Sequence, residues 1–349
     1  MPIEISVAPP SIAYAELVAR VPGLLIHASP EWAAFTQMAC PQARPVYFLA
    51  YKDGQAVGAL PAFEMDGPCG KVLNSLPYYG SHGDLIIDPT VERGPVVQAL
   101  MQALDEYVQK HKIMAFNAVT HPFRNDSAEF SACSRMKRVD DRIGQISTLP
   151  AGTAGSLEEP LLQMFSQKTR NLARKGLKSG FTVFRSEKDV DFQNLHEHHA
   201  IGMGKINGTI KSIDQLKTLK QLFGDNCHLY VAYADDIFAG GLLTLVYRDW
   251  VEYFMPVSVE AYRSKQVISA LIVHAMIDYA SRGYSYWNWG GTWRSQEGVY
   301  HFKKGWGAKD YVYGYYGYAL KEAFSGLTRT ELLAAYPNFY LFPFSSEET

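Results

Sequence analysis

The order of strand-like and helical segments in the second half of the chain limits its possible folds more than any other feature. Three apolar, strand-like runs lie at residues 229–234, 239–247 and 250–257. Asp235-Asp236 is typical of the turn of a hairpin between the first two runs. A long helical segment follows from about Tyr262 to Arg282, and another strand begins near Tyr284. This order predicts a mixed, mostly antiparallel sheet flanked by helices.

The first half of the chain alternates strands and helices in a similar way. Strands at 46–51 and 56–64 flank Lys52-Asp53-Gly54, which predicts a β-hairpin, and a helix at 94–111 leads into a short buried strand at 113–119. The small, polar stretch at 150–156 is typical of a connection between domains. At 349 residues the chain is long enough for two cores, so we predict an α/β (α+β) protein with a first domain at 1–150 and a second at 151–318.

Between this connection and the first strand of the second half, the pattern predicts a helix from Ser156 to about Ser179, where Gly180 stops it. A strand at 181–184 and a helix at 189–202 follow. The first of these helices carries cations without an intervening acid, and Arg185 follows on the strand. Its cationic and polar members are Lys168, Arg170, Asn171, Arg174, Lys175 and Lys178. The concentration of positive charge favours a phosphate-binding surface, and the alternative is an ordinary solvated helix face.

Residues 284–307 combine aromatic residues, a Gly-Gly pair and a Lys-Lys pair in one short tract. Alternation up to Gly290 predicts a strand, and Gly290-Gly291 allows a sharp turn or a close approach to a ligand. Thr292 or Ser295 is expected to cap a short helix, with Phe302, Lys303 and Lys304 just past it. The tract is either the wall of a reaction site or a buried aromatic strand with a solvated lysine pair.

This tract resembles the FemABX-like aminoacyl or peptidyl transferases. The resemblance rests on the aromatic-Asn-aromatic-Gly-Gly-Thr order at 287–292, on Glu-Gly-Val-Tyr-His-Phe-Lys-Lys-Gly-Trp-Gly at 297–307 and on the Arg170-Asn171 basic helix. It covers roughly residues 160–318. It implies two tandem GNAT-like domains, an acceptor-side first domain completed by 319–349 and a catalytic second domain. It also implies an oxyanion-stabilising role for Lys303, next to Phe302.

Two donors are compatible with such an enzyme. The first hypothesis is an aminoacyltransferase that moves an amino acid from aminoacyl-tRNA to an amine of a cell-wall (peptidoglycan) precursor or another small molecule. The second is an acyl-CoA-dependent N-acyltransferase acting on an amino sugar or similar amine. CoA enzymes of this fold usually hold the pyrophosphate with a glycine-rich loop, whereas the junction at 256–266 has no glycine, which favours tRNA. A catalytically silent RNA or precursor binder is a third possibility.

We therefore assign candidate residues to three roles. The catalytic candidates are Lys303 and Phe302. The substrate-binding candidates are Tyr79, Ser81, Asp84, Trp289, Gly290, Thr292, Arg294 and Tyr300. The candidates for binding tRNA or phosphate are Lys168, Arg170, Asn171, Arg174, Lys175 and Lys304. No carboxylate stands out as the general base, and Asp84, Asp140 and Asp141 are unranked.

Other classes of protein are disfavoured. No apolar run approaches the roughly 20 residues of a membrane span, so we expect a cytoplasmic protein. The four cysteines lie far apart, which indicates neither a zinc site nor a disulfide framework. The cluster at 196–199 lacks the spacing of a histidine metal site, so a solvated helix face is favoured there. We expect no metal or bound cofactor, and the oligomeric state is open.

Overall fold

The computed structural model describes residues 2–78, 80–123, 129–130, 136–206 and 208–341. The chain forms two compact units. Unit 1 consists of Met1–Arg142 and Val312–Thr349, and unit 2 consists of Ile143–Tyr311. The chain passes from one unit to the other inside two strands, Lys137–Thr148 and Lys309–Ala319, so the polar connection at 150–156 lies within unit 2.

In chain order the strands are β1 Glu4–Ala8, β2 Ala43–Pro45, β3 Tyr47–Lys52, β4 Gln55–Leu60, β5 Phe63–Gly67, β6 Gly70–Ser75, β7 Ile86–Ile87, β8 Ile113–Val119, β9 Lys137–Thr148, β10 Thr182–Ser186, β11 Cys227–Ala234, β12 Ile237–Tyr247, β13 Trp250–Ser258, β14 Tyr286–Thr292 and β15 Lys309–Ala319. The α-helices are α1 Ile12–Arg20, α2 Pro30–Ala39, α3 Arg93–His111, α4 Glu158–Met164, α5 Gln167–Leu177, α6 Asp189–Gly204, α7 Ile213–Phe223, α8 Val267–Ser281, α9 Glu297–Gly305 and α10 Arg329–Ala335.

Unit 1 contains two sheets, with strand orders β1-β3-β4-β7 and β15-β8-β6-β5-β2. The predicted hairpin is confirmed as β3–β4, and Asp53 and Gly54 take the positive φ values of 55° and 77° that a tight hairpin turn needs. The predicted helix at 94–111 is confirmed as α3, whose apolar side is buried in the core of this unit. Residues 315–319 of β15 pair with β8, so the C-terminal part of the chain completes the second sheet.

Unit 2 is built on one sheet with the order β10-β11-β12-β13-β14-β9. Its neighbouring strands are antiparallel except for β13 and β14, which are parallel because α8 connects them. The core lies between this sheet and α8, most of whose residues are buried. This confirms the predicted mostly antiparallel sheet with flanking helices.

Three helix predictions need correction. The helix expected at 156–179 is interrupted between α4 and α5, because Phe165 is extended and packs its ring against Trp306 at 4.9 Å, while Ser166 caps α5. The helix expected from Tyr262 begins only at Val267, after a 3₁₀ turn at Glu260–Lys265. Helix α7 was missed, although Ser212 and Gln215 form the reciprocal cap that marks a helix start.

A fourth correction concerns the short helix of the aromatic tract. Phe302, Lys303 and Lys304 lie inside α9 rather than past it, in the last turn. Gln296 occupies the N-cap position without a side-chain cap, so neither Thr292 nor Ser295 has the expected role. Cations suit this position because the last turn of a helix carries partial negative charge. The side chain of Lys303 is therefore positioned by a regular helix.

Candidate active site in unit 2

The parallel strands β13 and β14 pair over a short length and then part. The paired residues are Trp250 with Tyr286, Val251 with Trp287 and Glu252 with Asn288. Beyond them, β13 stays paired with β12 as far as Ser258, whereas β14 pairs with β9. Each strand thus follows its outer neighbour, and the two separate immediately after Glu252 and Asn288. Glu252 and Asn288 therefore form the last pair before the strands part.

Glu252 is a buried carboxylate at this point, with an exposed fraction of 8%. Its Oε2 accepts a hydrogen bond of 2.8 Å from Asn288 Nδ2, while Oε1 has no hydrogen-bond partner among the described residues. Burial raises the pKa of Glu252 to about 7, and the Asn288 hydrogen bond opposes this rise. A carboxyl group that has one oxygen without a hydrogen-bond partner and a pKa near neutrality is suited to accept a proton.

Asn288 is held by the turn that follows it. Its Oδ1 accepts a hydrogen bond of 2.9 Å from the backbone N–H of Gly290. Gly290 has a φ of 72°, a conformation that side chains other than glycine rarely adopt, and the register of β14 against β9 shifts at this place. The first glycine of the Gly-Gly pair therefore allows the local turn that orients Asn288 toward Glu252.

Lys303 lies against the same turn. It is buried, with an exposed fraction of 7%. Its Nζ donates to Gly291 O at 3.0 Å, to Thr292 Oγ1 at 2.9 Å and, with a longer distance of 3.4 Å, to Gly290 O. Burial lowers the pKa of Lys303 to about 8. The three ammonium hydrogens thus have three protein acceptors, and Lys303 links α9 to the Gly290–Thr292 turn.

Thr292 and Tyr300 belong to the support of this turn. Thr292 Oγ1 donates to Gln145 Oε1 at 3.1 Å, and Gln145 Nε2 donates to Tyr300 O at 3.1 Å. The Tyr300 hydroxyl donates to Asp310 Oδ2 at 2.7 Å. Thr292 is buried, so its hydroxyl is engaged by the protein rather than directed at solvent.

The aromatic residues form a continuous packed group beside the turn. Trp289 is 2% exposed, donates its Nε1–H to Ser147 Oγ at 2.9 Å, and lies 4.9 Å from the Tyr253 ring. Phe302 packs edge-on against Trp289 and is 41% exposed. Of these two rings, Phe302 therefore presents surface to solvent, and Trp289 supports it from the core.

The glycines of the Lys-Lys-Gly-Trp-Gly segment allow close packing. Gly305 O accepts a hydrogen bond of 2.8 Å from Ser166 N. A side chain on Gly305 would collide with Thr169. Gly307 has a φ of 76°, and a Cβ there would lie 2.9 Å from Met164 O. The segment thus packs the end of α9 against α4 and α5. This close packing explains why glycine occupies positions 305 and 307.

The predicted phosphate-binding residues do not form one uniform group. Arg170 donates to the carbonyl oxygens of Leu162 at 2.8 Å, Phe165 at 3.1 Å and Gln163 at 3.2 Å, so it closes the end of α4. The exposed members are Lys168, Asn171, Arg174, Lys175 and Lys304. Among these, Arg174 lies 3.6 Å from a Glu159 carboxylate oxygen and Lys304 lies 2.9 Å from Asp310 Oδ2. Lys168 and Lys175 remain the best-placed cations for an external phosphate.

The candidates in unit 1 serve local structure. Ser81 is buried, donates to Tyr78 O at 2.7 Å and accepts from Trp32 Nε1 at 3.1 Å. Asp84 is also buried and accepts from the backbone N–H of Leu85 at 2.7 Å and of His121 at 2.9 Å. Tyr79 lies outside the described residues. Their proposed contact with an acceptor stays a prediction.

Several other expectations have a structural outcome. Asp140 accepts from the Tyr340 hydroxyl at 2.8 Å, and Asp141 lies 3.2 Å from Arg138, so both carboxylates are engaged. Arg294 is exposed.

His199 is buried and accepts from Lys211 N at 3.2 Å, which corrects the expected solvated face. Within the described residues, no group of three His, Cys, Asp or Glu side chains is placed to hold a metal ion.

Sequence reasoning missed Glu252. The available signal was a single acidic residue inside the apolar strand 250–257, where a buried carboxylate is costly and therefore informative. Its significance depends on Asn288, which lies 36 positions later in the chain. Only the strand pairing brings these two side chains together.

Residues 163–304 match the family described as an acetyltransferase (GNAT) domain. Among solved structures, FemX is 14% identical with a TM-score of 0.71, covering 92% of this chain and 98% of that one. A tandem GNAT protein from the clavulanic acid biosynthesis pathway is 14% identical with a TM-score of 0.58, covering 91% and 98%. L-PGS from Bacillus licheniformis is 13% identical with a TM-score of 0.54, covering 94% and 96%. No curated protein matches the sequence.

The family match indicates a GNAT domain at residues 163–304, and the structural similarities confirm the predicted two-domain GNAT-like fold, which the chain shares with FemX. The matched domain includes Glu252, Asn288 and Lys303. Among the helices of the described residues, none has the length and apolar character of a membrane span.

Proposed function

Because this chain carries a GNAT acyltransferase domain in a FemX-like fold, we propose that unit 2 transfers an aminoacyl group from aminoacyl-tRNA to a primary amine, with Glu252 as the general base. The acceptor class is the amine of a cell-wall precursor or another small molecule. The observation that carries the proposal is the buried Oε1 of Glu252, which has no hydrogen-bond partner among the described residues and lies where β13 and β14 part.

The reaction needs a neutral amine at the donor carbonyl. The amine nitrogen attacks the ester carbon, a C–N bond forms, and the C–O bond to the tRNA ribose breaks. Glu252 Oε1 accepts the proton that the amine loses, and this proton then goes to the leaving alkoxide, so charge and atoms balance. Glu252 is suited to both steps because its pKa of about 7 allows loss and gain of a proton near neutral pH.

Asn288 and Lys303 contribute by positioning in this proposal. Asn288 fixes the orientation of the Glu252 carboxylate through its 2.8 Å hydrogen bond. Lys303 fixes the turn that holds Asn288, because its ammonium group is bound to Gly291 O and Thr292 Oγ1. The direct oxyanion role expected for Lys303 stays a prediction, and it requires that a substrate replaces one of these acceptors.

Two features support tRNA as the donor. Helix α5 exposes Lys168 and Lys175, and binding of an RNA backbone depends on such cations. The segment before α8, a 3₁₀ turn at Glu260–Lys265, has no glycine, whereas a CoA pyrophosphate is usually held by glycine-rich backbone at a helix start. Both features favour a polymeric phosphate donor over a nucleotide-linked thioester.

The test is a direct comparison of donors. Charged tRNA and acyl-CoA are offered to the full chain with the same panel of amines, and amide formation is measured. We expect transfer from tRNA that weakens with salt, and a Lys168→Gln/Lys175→Gln variant whose KM for tRNA rises while Lys321→Gln, on the exposed surface of unit 1, behaves as wild type. Transfer from acyl-CoA alone, with no salt dependence, contradicts the donor assignment.

An acyl-CoA-dependent N-acyltransferase acting on an amino sugar or similar amine is the second candidate. It is favoured by the description of the matched family as an acetyltransferase domain and by the name of the tandem GNAT structure, which refers to AcCoA. Glu252 would have the same role, because a thioester carbonyl also needs a neutral amine. The donor comparison separates the two candidates.

A further inference from the structure

Unit 2 has a cavity whose lining does not include the residues at the parting of β13 and β14. Its volume is about 390 Å³. It is lined by Val183, Phe184, Arg185, Tyr230, His274, Asp278 and Arg282. These residues come from the edge strand β10, from β11 and from the C-terminal half and end of α8. The proposed acyl-transfer step does not use any of them.

Arg185 enters the cavity without a strong acceptor in the protein. Its closest polar atom is His228 Nε2, 3.3 Å from Arg185 Nη1. His228 Nε2 also lies 2.6 Å from Asp225 O, and His228 Nδ1 lies 2.6 Å from the Tyr279 hydroxyl. A carbonyl oxygen only accepts, so Nε2 carries the proton and the Tyr279 hydroxyl donates to Nδ1. The Arg185 guanidinium and the His228 Nε2–H are therefore both donors and do not satisfy each other. The Glu187 carboxylate is 3.9 Å from Arg185.

Arg282 provides a second guanidinium group. It lies over the rings of Tyr279 and Tyr284, with 5.7 and 5.4 Å from its Cζ to the ring centroids. Its ion pair with Asp278 is long, 3.4 Å, and the same Asp278 oxygen already accepts from the Tyr230 hydroxyl at 2.5 Å. The flat guanidinium is thus oriented by aromatic packing and keeps most of its donors available.

The ion pairs in and around this cavity are long, 3.9 Å for Arg185 with Glu187 and 3.4 Å for Arg282 with Asp278. Arg185, Arg282 and Asp278 all act on buried His228, whose pKa is lowered to about 4, first by burial and then by Arg185. His228 is therefore neutral near pH 7. The lining of the cavity carries two guanidinium groups and the Asp278 carboxylate, while Glu187, which pairs with Arg185, is not part of the lining. The side chains of Arg185 and Arg282 are 44% and 34% exposed, so both remain accessible to a ligand.

We propose that this cavity binds a phosphate group between the guanidinium groups of Arg185 and Arg282. Paired guanidinium forks match the geometry of phosphate oxygens. The phosphate belongs either to the backbone of an RNA or to a free small molecule. The site is separate from the proposed function and requires no acyl transfer.

The experiment measures binding of inorganic phosphate, adenosine 5′-monophosphate and a short single-stranded RNA to the full chain, by calorimetry and fluorescence anisotropy. We expect the Arg185→Gln/Arg282→Gln variant to bind the preferred probe at least about tenfold more weakly, because charge-assisted bonds are lost. Lys217→Gln, an exposed cation on α7 outside the cavity, should bind as wild type. Thermal melting checks that the variants are folded.

The probes separate the two phosphate sources. Binding of phosphate and the mononucleotide indicates a small-molecule ligand, and binding of RNA alone that depends on both arginines indicates a backbone phosphate. If the double variant unfolds, Arg185→Lys keeps the charge but loses the fork and should weaken binding several-fold. The proposal is overturned if no probe binds the wild type, or if folded arginine variants bind as well as it does. Because no turnover is measured, this result is independent of the proposed function.

Discussion

Replacing Glu252 by glutamine removes the carboxylate at the parting of β13 and β14 while keeping its size and its hydrogen bond to Asn288. Burial moves the pKa of Glu252 from the ordinary 4.5 to about 7. This difference disfavours the ionised form by about 3 kcal/mol relative to water. With a pKa near 7, about a tenth of Glu252 is ionised at pH 6 and about nine tenths at pH 8. The wild-type rate should therefore rise about tenfold across this range if Glu252 is the base.

The assay is amide formation with the donor that is active in the donor comparison, measured from pH 6 to pH 8. We expect Glu252→Gln to lower the rate by about 10² to 10⁴ and to abolish the rise with pH. The control is Glu16→Gln, which changes an exposed glutamate on α1 and should leave both the rate and its pH dependence unchanged. A glutamine variant that keeps more than about a tenth of the rate, or the same pH midpoint, refutes the role of Glu252.

Stability gives an independent check of the same pKa. Between pH 4.5 and 7 the unfolded chain releases the Glu252 proton before the folded chain does, so the native state binds more protons and its stability falls as pH rises. The glutamine variant lacks this loss of stability, because its side chain does not titrate. Its free energy of unfolding, measured in urea, should exceed that of the wild type by an amount that grows with pH to about 3 kcal/mol. A constant difference across this range contradicts the raised pKa.

Three further predictions concern the support of the site and the core of unit 1. Asn288→Ala removes the hydrogen bond that lowers the pKa of Glu252, so the midpoint of the pH–rate profile should move upward; an unchanged midpoint contradicts this coupling. Lys303→Met leaves buried carbonyl groups without their donor and should cost about 2 kcal/mol of unfolding free energy, whereas Lys304→Met, at the exposed neighbouring position, should cost less than about 1 kcal/mol; equal urea midpoints for the two variants contradict the link that Lys303 makes between α9 and the turn. Burial lowers the pKa of His82 to about 4, so the unfolded chain takes up its proton first and the unfolding free energy should fall as pH drops from about 6.5 toward 4; this fall should be smaller in His82→Gln, and an identical slope contradicts it.

Local signals in the sequence predicted much of the fold. The Asp53-Gly54 turn, the helix ending at His111 and the strand 113–119 were all expected, because turn residues and apolar periodicity act over a few positions. The errors occurred where tertiary packing overrode a local pattern. Phe165 interrupts a helix because its ring is buried against Trp306, a contact between residues distant in the chain.

By itself, the sequence determined the order of strands and helices in the second half and predicted a GNAT-like fold, and it singled out residues 284–307 as a candidate site. Only the tertiary structure decided what the side chains of that tract do. Glu252, Asn288 and Lys303 lie on three different elements, and their proximity depends on a parallel pairing that ends after Glu252. Burial then raises the pKa of Glu252 and lowers the pKa of Lys303. Neither the pairing nor the burial is encoded in local spacing, because both arise from how distant segments pack.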